Sequence, residues 1–141
     1  MLGLQIQGSP VGDQVVFYNT ATSSFNSIQV KKVFTYSDVR AKTNIRLLSD
    51  GLMIINSLGS VTYRFADERY LLKRTATGSQ EIGLIAQEVE AVLPEIVYTD
   101  EEGHMLINYD APIPVLIESV KSLSSQVEDL KREVNYLQSL H

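Results

Sequence analysis

The sequence predicts an α+β fold that ends in one long helix. Short runs of alternating apolar and polar residues near the N-terminus are typical of β-strands. The C-terminal segment instead carries apolar residues at alternating steps of three and four, which is the pattern of a coiled-coil helix. With 141 residues, the chain has room for one compact domain and an extended element.

Composition and charge exclude several function classes. The chain is 44% hydrophobic and 21% charged, as in ordinary globular proteins, and no apolar run approaches the ~20 residues of a bilayer span. A net charge of -5 argues against nucleic-acid binding, which needs a cationic surface. With no cysteine and two histidines, thiolate chemistry and His-rich metal sites are excluded. We therefore expect no metal, no cofactor, no nucleic acid and no membrane partner.

Residues 1–36 are predicted to be β-structure. Leu4–Ile6, Gln14–Tyr18 and the segment 28–33 have strand-like patterns separated by Gly-, Pro- and Ser/Thr-rich turns. These strands are too short to form a face of their own and need partners from other chains or from upstream sequence. We interpret residues 1–36 as the end of a larger β-rich stalk.

Residues 37–58 change to helical spacing. Five apolar side chains lie three or four residues apart, although Gly51 weakens the middle of the segment. These side chains are Ile45, Leu48, Leu52, Ile55 and Leu58. The spacing predicts one helix or two short ones.

The body continues to residue 109 with short mixed elements. Strand patterns at 61–65 and 69–74, followed by a turn at 77–79, predict a projecting hairpin that forms an arm over about residues 61–80.

A strand, a helix and a second hairpin are predicted after the arm. Ile82–Ile85 reads as a short strand, and Ala86–Leu93 as a helix that Pro94 ends. Residues 96–98 and 105–107 flank a polar turn and predict a hairpin.

The last segment, 110–141, has the clearest periodicity. Asp110 and two prolines suit the helix start. Valine falls at a positions and leucine at d positions over more than three heptads, which favours self-association over a helix packed on its own domain. The heptads alone favour two strands. The predicted seam consists of Leu116, Val120, Leu123, Val127, Leu130, Val134 and Leu137, preceded by Ile113.

One serine and one lysine at the change from β to helical pattern suggest nucleophilic chemistry. Lys42 can activate the Ser37 hydroxyl only when its amine is neutral, and lowering a lysine pKa from about 10.4 to about 7 or 8 costs roughly 4 kcal/mol. Burial must supply this shift, to which repulsion from Arg40 could add. Five residues place the pair about 140° apart on a helix and on opposite faces of a strand. The pair can therefore meet only across a turn or between chains.

A structural role for Ser37 remains open. A serine that precedes a helix and is followed by an acid is a common N-cap arrangement, and Asp38 suits the positive end of a helix.

Three ordered motifs resemble one family. Ser37-Asp38-x-Arg40-x-Lys42-x-x-Ile45 is similar to the signature of the intramolecular chaperone auto-processing domain, the S74 peptidase family. The run 82–89, with Leu93-Pro94 and Val97, resembles its second motif, and the terminal heptads resemble its trimeric coiled coil. The resemblance covers residues 37 to about 140.

The resemblance implies a chaperone body at 37–109 and a parallel trimeric coiled coil at 110–141, in place of the two strands that the heptads favour. It implies a homotrimer that helps an upstream tail spike, tail fibre or neck appendage of a bacteriophage to fold. The domain would then cut the Tyr36-Ser37 bond, with Ser37 as nucleophile and Lys42 as base. Asp38, Arg40 and Asn44 would support this site, and Asn44 is one candidate donor to the oxyanion.

The resemblance also implies that folding and cleavage occur in the infected bacterial cytoplasm during virion assembly and that the released domain is absent from the mature virion. The alternative is a structural trimeric fibre tip or receptor-binding adhesin that is not cut, in which Ser37 only caps a helix.

Overall fold

The computed structural model describes residues 14–66 and 80–141. The predicted strand Leu4–Ile6 and the predicted arm residues 69–79 lie outside the described residues. The described chain divides into two compact units, and the chain passes from one to the other after Ala41, after Thr62 and after Glu81.

The first unit contains the described parts of Met1–Ala41 and Tyr63–Glu81. In it, strands β1 (Tyr18–Asn19) and β2 (Ser24–Phe25) form a small antiparallel hairpin. The rings of Tyr18 and Phe25 are directly opposite and meet edge to face, with centroids 5.2 Å apart.

The predicted β-structure in this unit is shorter than expected. Only the end of the predicted strand Gln14–Tyr18 is in a strand, and residues 26–38 lie in neither a helix nor a strand. A strand needs a neighbour to pair with, and the apolar side chains of this segment, including Ile28, Val30 and Val33, are exposed.

The second unit contains Lys42–Thr62 and Ile82–His141, and its first small core lies under helix α2 (Ala86–Val92). As predicted, this helix ends just before Pro94, which begins a short 3₁₀ turn, Pro94–Ile96. The helix packs on that turn and on the following hairpin. Val89 is 1% exposed, and Ile96 is also buried.

The predicted second hairpin is confirmed as strands β5 (Val97–Thr99) and β6 (Met105–Ile107). The Asp100 carboxylate holds its turn by accepting the amide hydrogens of Glu102 and His104 at 2.9 and 2.8 Å. The His104 amide is the main reason that the pKa of Asp100 lies below its usual range. Gly103, with φ of +86°, adopts a backbone conformation that glycine tolerates.

Strand β3 (Val61–Tyr63) pairs with β4 (Glu81–Gly83), so both predicted strands are present within a residue or two of their expected bounds. The Leu84 amide, just beyond β4, donates a hydrogen bond to the Tyr109 hydroxyl at 2.9 Å. This bond ties the end of β4 to the chain that leads into the last helix.

The helical prediction for residues 37–58 is only partly correct. The segment contains a 3₁₀ turn, Val39–Ala41, and one short helix, α1 (Gly51–Asn56). Residues 42–50 form neither helix nor strand. Asn44 and Asp50 have positive φ angles of +53° and +60°, which are incompatible with a continuous right-handed helix.

The predicted C-terminal helix is confirmed as α3 (Pro112–Ser139), with proline in its first turn. Helix α1 packs on α3 and buries Val115 and Ser119, which are 4% and 3% exposed. The Ser119 hydroxyl donates to the Val115 carbonyl at 2.7 Å, so its burial leaves no unpaired hydroxyl.

Candidate functional site

The predicted catalytic residues lie on either side of one short turn. Ser37 is in irregular chain two residues before the turn Val39–Ala41, and Lys42 follows the turn directly. Both side chains are exposed in the single chain, and Tyr36 is 96% exposed. The junction between Tyr36 and Ser37 thus lies in an exposed stretch of chain without regular secondary structure.

Asp38 and Arg40 hold the turn between these residues. The Arg40 side chain donates to both Asp38 carboxylate oxygens, from Nε at 3.0 Å and from Nη2 at 2.7 Å. The Arg40 backbone amide also donates to Asp38 Oδ1 at 2.8 Å, and the Ala41 amide donates to the Asp38 carbonyl at 3.0 Å. Four hydrogen bonds therefore close one turn of chain.

This geometry gives Asp38 the position and bonding of the cap of the turn. A carboxylate that accepts an amide hydrogen two residues ahead is typical of an N-cap. The Arg40 guanidinium holds the pKa of Asp38 below its usual range, and Asp38 raises the pKa of Arg40.

The ion pair also changes the expected role of Arg40. Asp38 balances the charge of Arg40 in a bidentate ion pair. Arg40 therefore repels the positive charge of Lys42 less than an unpaired arginine would.

The segment after Lys42 is exposed and irregular until α1 begins. Asn44 lies at its first sharp bend, in the left-handed conformation that asparagine adopts more readily than most residues. Ile45 is exposed, and Leu47 is 98% exposed. Both apolar side chains are therefore accessible for contact with another surface.

The predicted seam residues share one exposed face of α3. Their exposure ranges from 48% at Leu116 to 63% at Val120. Charged side chains lie on other faces and pair within the helix, at 3.3 Å for Lys121 with Glu118 and 3.1 Å for Lys131 with Glu128. Arg132 pairs with Asp129 in the same way. The apolar stripe is therefore continuous.

Helix α1 uses a different face of α3. Val115 and Ser119 each precede a seam residue by one position, which turns their face about 100° from the seam. Sequence reasoning missed this contact and treated Gly51 only as a weak point in a helix. The only sequence signal was a pair of small residues, Gly51 and Ser119, whose pairing is not visible in a local pattern.

Within residues 14–66 and 80–141, no group of three His, Asp or Glu side chains is arranged to hold a metal ion. No helix in the same ranges is long and apolar enough to cross a membrane.

Residues 37–98 match the family model Peptidase_S74, described as chaperone of endosialidase. The matched region starts at Ser37 and includes the turn, α1, α2 and the first residues of the β5–β6 hairpin.

Phage fibre proteins are similar to most of the chain. Long tail fiber protein Gp37 of Enterobacteria phage K3 is 30% identical over 122 residues, 84% of this chain and 10% of that protein. Its counterpart in Salmonella phage S16 is 31% identical over 111 residues, 72% of this chain and 15% of that protein. Gp37 of Enterobacteria phage M1 is 29% identical over 119 residues and has 44% of its length covered. The chain thus spans less than half of each of these relatives.

The Asp38–Arg40 pair makes the turn sensitive to acid. Because the folded pKa of Asp38 is lowered, the contribution of its carboxylate is complete above the ordinary value of 3.8 and is lost as pH falls through the lower folded value. An NMR titration of the Arg40 amide should have its midpoint below 3.8. Arg40→Gln should move the Asp38 midpoint up toward 3.8, whereas Arg46→Gln should leave it in place. A wild-type midpoint at or above 3.8 would contradict the pairing.

Proposed function

Residues 37–98 belong to the endosialidase-chaperone family, Peptidase_S74, and on this premise we propose that the chain is an intramolecular chaperone of a phage tail fibre. It assembles as a homotrimer and assists the folding of an upstream fibre in the infected cell. It then cuts its own Tyr36-Ser37 bond and is released, so the mature virion lacks it.

The observation that carries this proposal is where the family match begins. The match starts at Ser37, the residue that the motif resembling this family would put just after the scissile bond. Residues before it, which the match leaves out, include the short β1–β2 hairpin and the exposed segment without regular secondary structure that follows it. This division supports a cut between a fibre end and a chaperone body.

The chemistry is an acyl shift followed by hydrolysis. Ser37 Oγ attacks the Tyr36 carbonyl carbon while Lys42 accepts the hydroxyl proton and returns it to the leaving amine. The C–N bond breaks and an ester joins the Tyr36 carbonyl to Ser37 Oγ. Water then hydrolyses this ester, which leaves a Tyr36 carboxylate and a free Ser37 with its new amino terminus.

Assembly precedes cleavage in this proposal because Lys42 is exposed in the single chain. A lysine is neutral at physiological pH only if its amine is removed from water or lies close to another positive charge. Arg40 contributes little positive charge of this kind, because its own charge is paired with Asp38. Neighbouring copies therefore supply the burial.

The surface for assembly is the seam of α3. Seven half-exposed valine and leucine side chains in one stripe cost free energy in water, and packing them between helices recovers it. Three parallel copies, the number that the family resemblance implies, would place all three Tyr36-Ser37 junctions at the same end of the bundle.

A second candidate is a fibre tip or adhesin that assembles in the same way and is not cut. The names of the relatives favour it, since each is a long tail fiber protein. In that case Ser37 and Lys42 belong to the surface of a permanent fibre end.

Intact-mass spectrometry of purified protein separates the two candidates. The wild type should yield a fragment that begins at Ser37 and ends at His141, because only this bond is attacked. Ser37→Ala and Lys42→Ala should each reduce cleavage by at least about 10³-fold, since each removes a group that the reaction needs. Ser57→Ala, a control at another exposed serine, should cut like the wild type. A wild type that stays intact in its assembled form would exclude self-cleavage.

Light scattering of the uncut Ser37→Ala protein tests the seam. Val127→Asp should convert trimers to monomers, because an unpaired carboxylate buried between helices costs several kcal/mol. Ser125→Asp adds the same charge on the outer face of the same helix and should leave the trimer intact. Equal effects of the two substitutions, or none from Val127→Asp, would show that this stripe is not the interface.

A further inference from the structure

Gly51 makes an unusually close backbone contact between α1 and α3. A β-carbon added at Gly51 would lie 3.1 Å from the Val115 carbonyl oxygen, 3.1 Å from the Glu118 β-carbon and 3.4 Å from the Ser119 nitrogen. Two of these three atoms belong to the backbone of α3 and cannot move aside as a side-chain end can. A side chain at this position would therefore push α1 and α3 apart, by a few tenths of an ångström for a β-carbon alone.

This contact leaves the seam free. It uses Val115 and Ser119, which are buried, whereas the adjacent seam residues Leu116 and Val120 stay about half exposed. One helix therefore holds α1 on one face and can bind other copies on another at the same time.

The contact also fixes the end of the segment that carries Lys42. Residues 42–50 have no regular structure, and the segment enters α1 through Asp50. Asp50 has φ of +60°, the left-handed conformation that aspartate, like asparagine, adopts more readily than most residues. Because Gly51 follows this bend directly, its docking on α3 fixes the point at which the segment enters α1.

We propose that the Gly51 contact is the positioning device that couples assembly to cleavage. The seam brings three α3 helices together, each α3 carries its α1 in a fixed position, and each α1 holds the C-terminal end of the segment 42–50 that carries Lys42. Gly51 is thus a positioning residue for Lys42 and takes no part in the chemistry. This inference rests on the proposed self-cleavage.

The test compares two substitutions to valine in the same helix. Gly51→Val places a branched side chain against the α3 backbone, while Met53→Val adds the same helix-disfavouring residue at an exposed position. In the uncut Ser37→Ala background, both should have the molar mass of the trimer, because neither touches the seam. With Ser37 present, Gly51→Val should cut about 100-fold more slowly, as expected for a catalytic group displaced by about 1 Å. Met53→Val should cut at the wild-type rate.

Hydrogen exchange reports the docking itself. The Ile54 amide, bonded to the Asp50 carbonyl at 3.0 Å, should lose protection in Gly51→Val and keep it in Met53→Val. Gly51→Ala is a smaller change and serves as the test if the Gly51→Val variant does not fold. It should slow cleavage less than Gly51→Val but more than Met53→Val. This graded response with an unchanged trimer is not expected of a general loss of stability.

Three results would overturn the inference. They are cleavage of Gly51→Val at the wild-type rate, unchanged protection of α1 in that variant, and loss of the trimer in Gly51→Val or Gly51→Ala. A wild type that is never cut would instead contradict the proposed function, and the exchange experiment would still report whether Gly51 docks α1.

Discussion

The apolar seam of α3 is the constraint on which the rest of the structure depends. In a single chain, a stripe of valine and leucine runs along a 28-residue helix with about half of each side chain in water. The described part of the chain buries few large side chains, with Val89, Ile96 and Val115 as its buried hydrophobic residues. In our proposal, a body with so small a core gains much of its stability by association, and assembly is then a condition of the fold as well as of the function.

In our proposal the candidate site at Ser37 and Lys42 also depends on assembly. The Asp38–Arg40 pair builds a firm turn between Ser37 and Lys42, yet it cannot remove water from an exposed lysine. In our proposal the chain is a peptidase that acts once, so it must stay inactive until its passenger is ready. A proposed base that is exposed in the monomer and buried in the assembly would meet both requirements, with the Gly51 contact coupling assembly to the position of Lys42.

Local patterns predicted the elements that local interactions stabilise. Helices α2 and α3 and the β5–β6 hairpin were predictable because their periodicity, their prolines and the polar turn all lie within the element itself. Residues 42–50 were not, because the helical spacing of Ile45 and Leu48 conflicts with the positive φ angles of Asn44 and Asp50. The role of Gly51 depends on atoms more than sixty positions away, which no local pattern contains. At the candidate site, the sequence predicted that Ser37 and Lys42 could meet across a turn, and a turn lies between them, but the Asp38–Arg40 bonding required coordinates.

The central claim is that assembly of the seam triggers the cut, and its most direct measurement is the cleavage rate as a function of protein concentration. Freshly refolded wild-type chain would be diluted across the range in which light scattering shows trimers giving way to monomers. We expect the cleavage rate per chain to follow the trimer fraction and to vanish with it. A rate per chain that stays constant while the protein becomes monomeric would contradict the account, because it would mean that one chain alone completes the site.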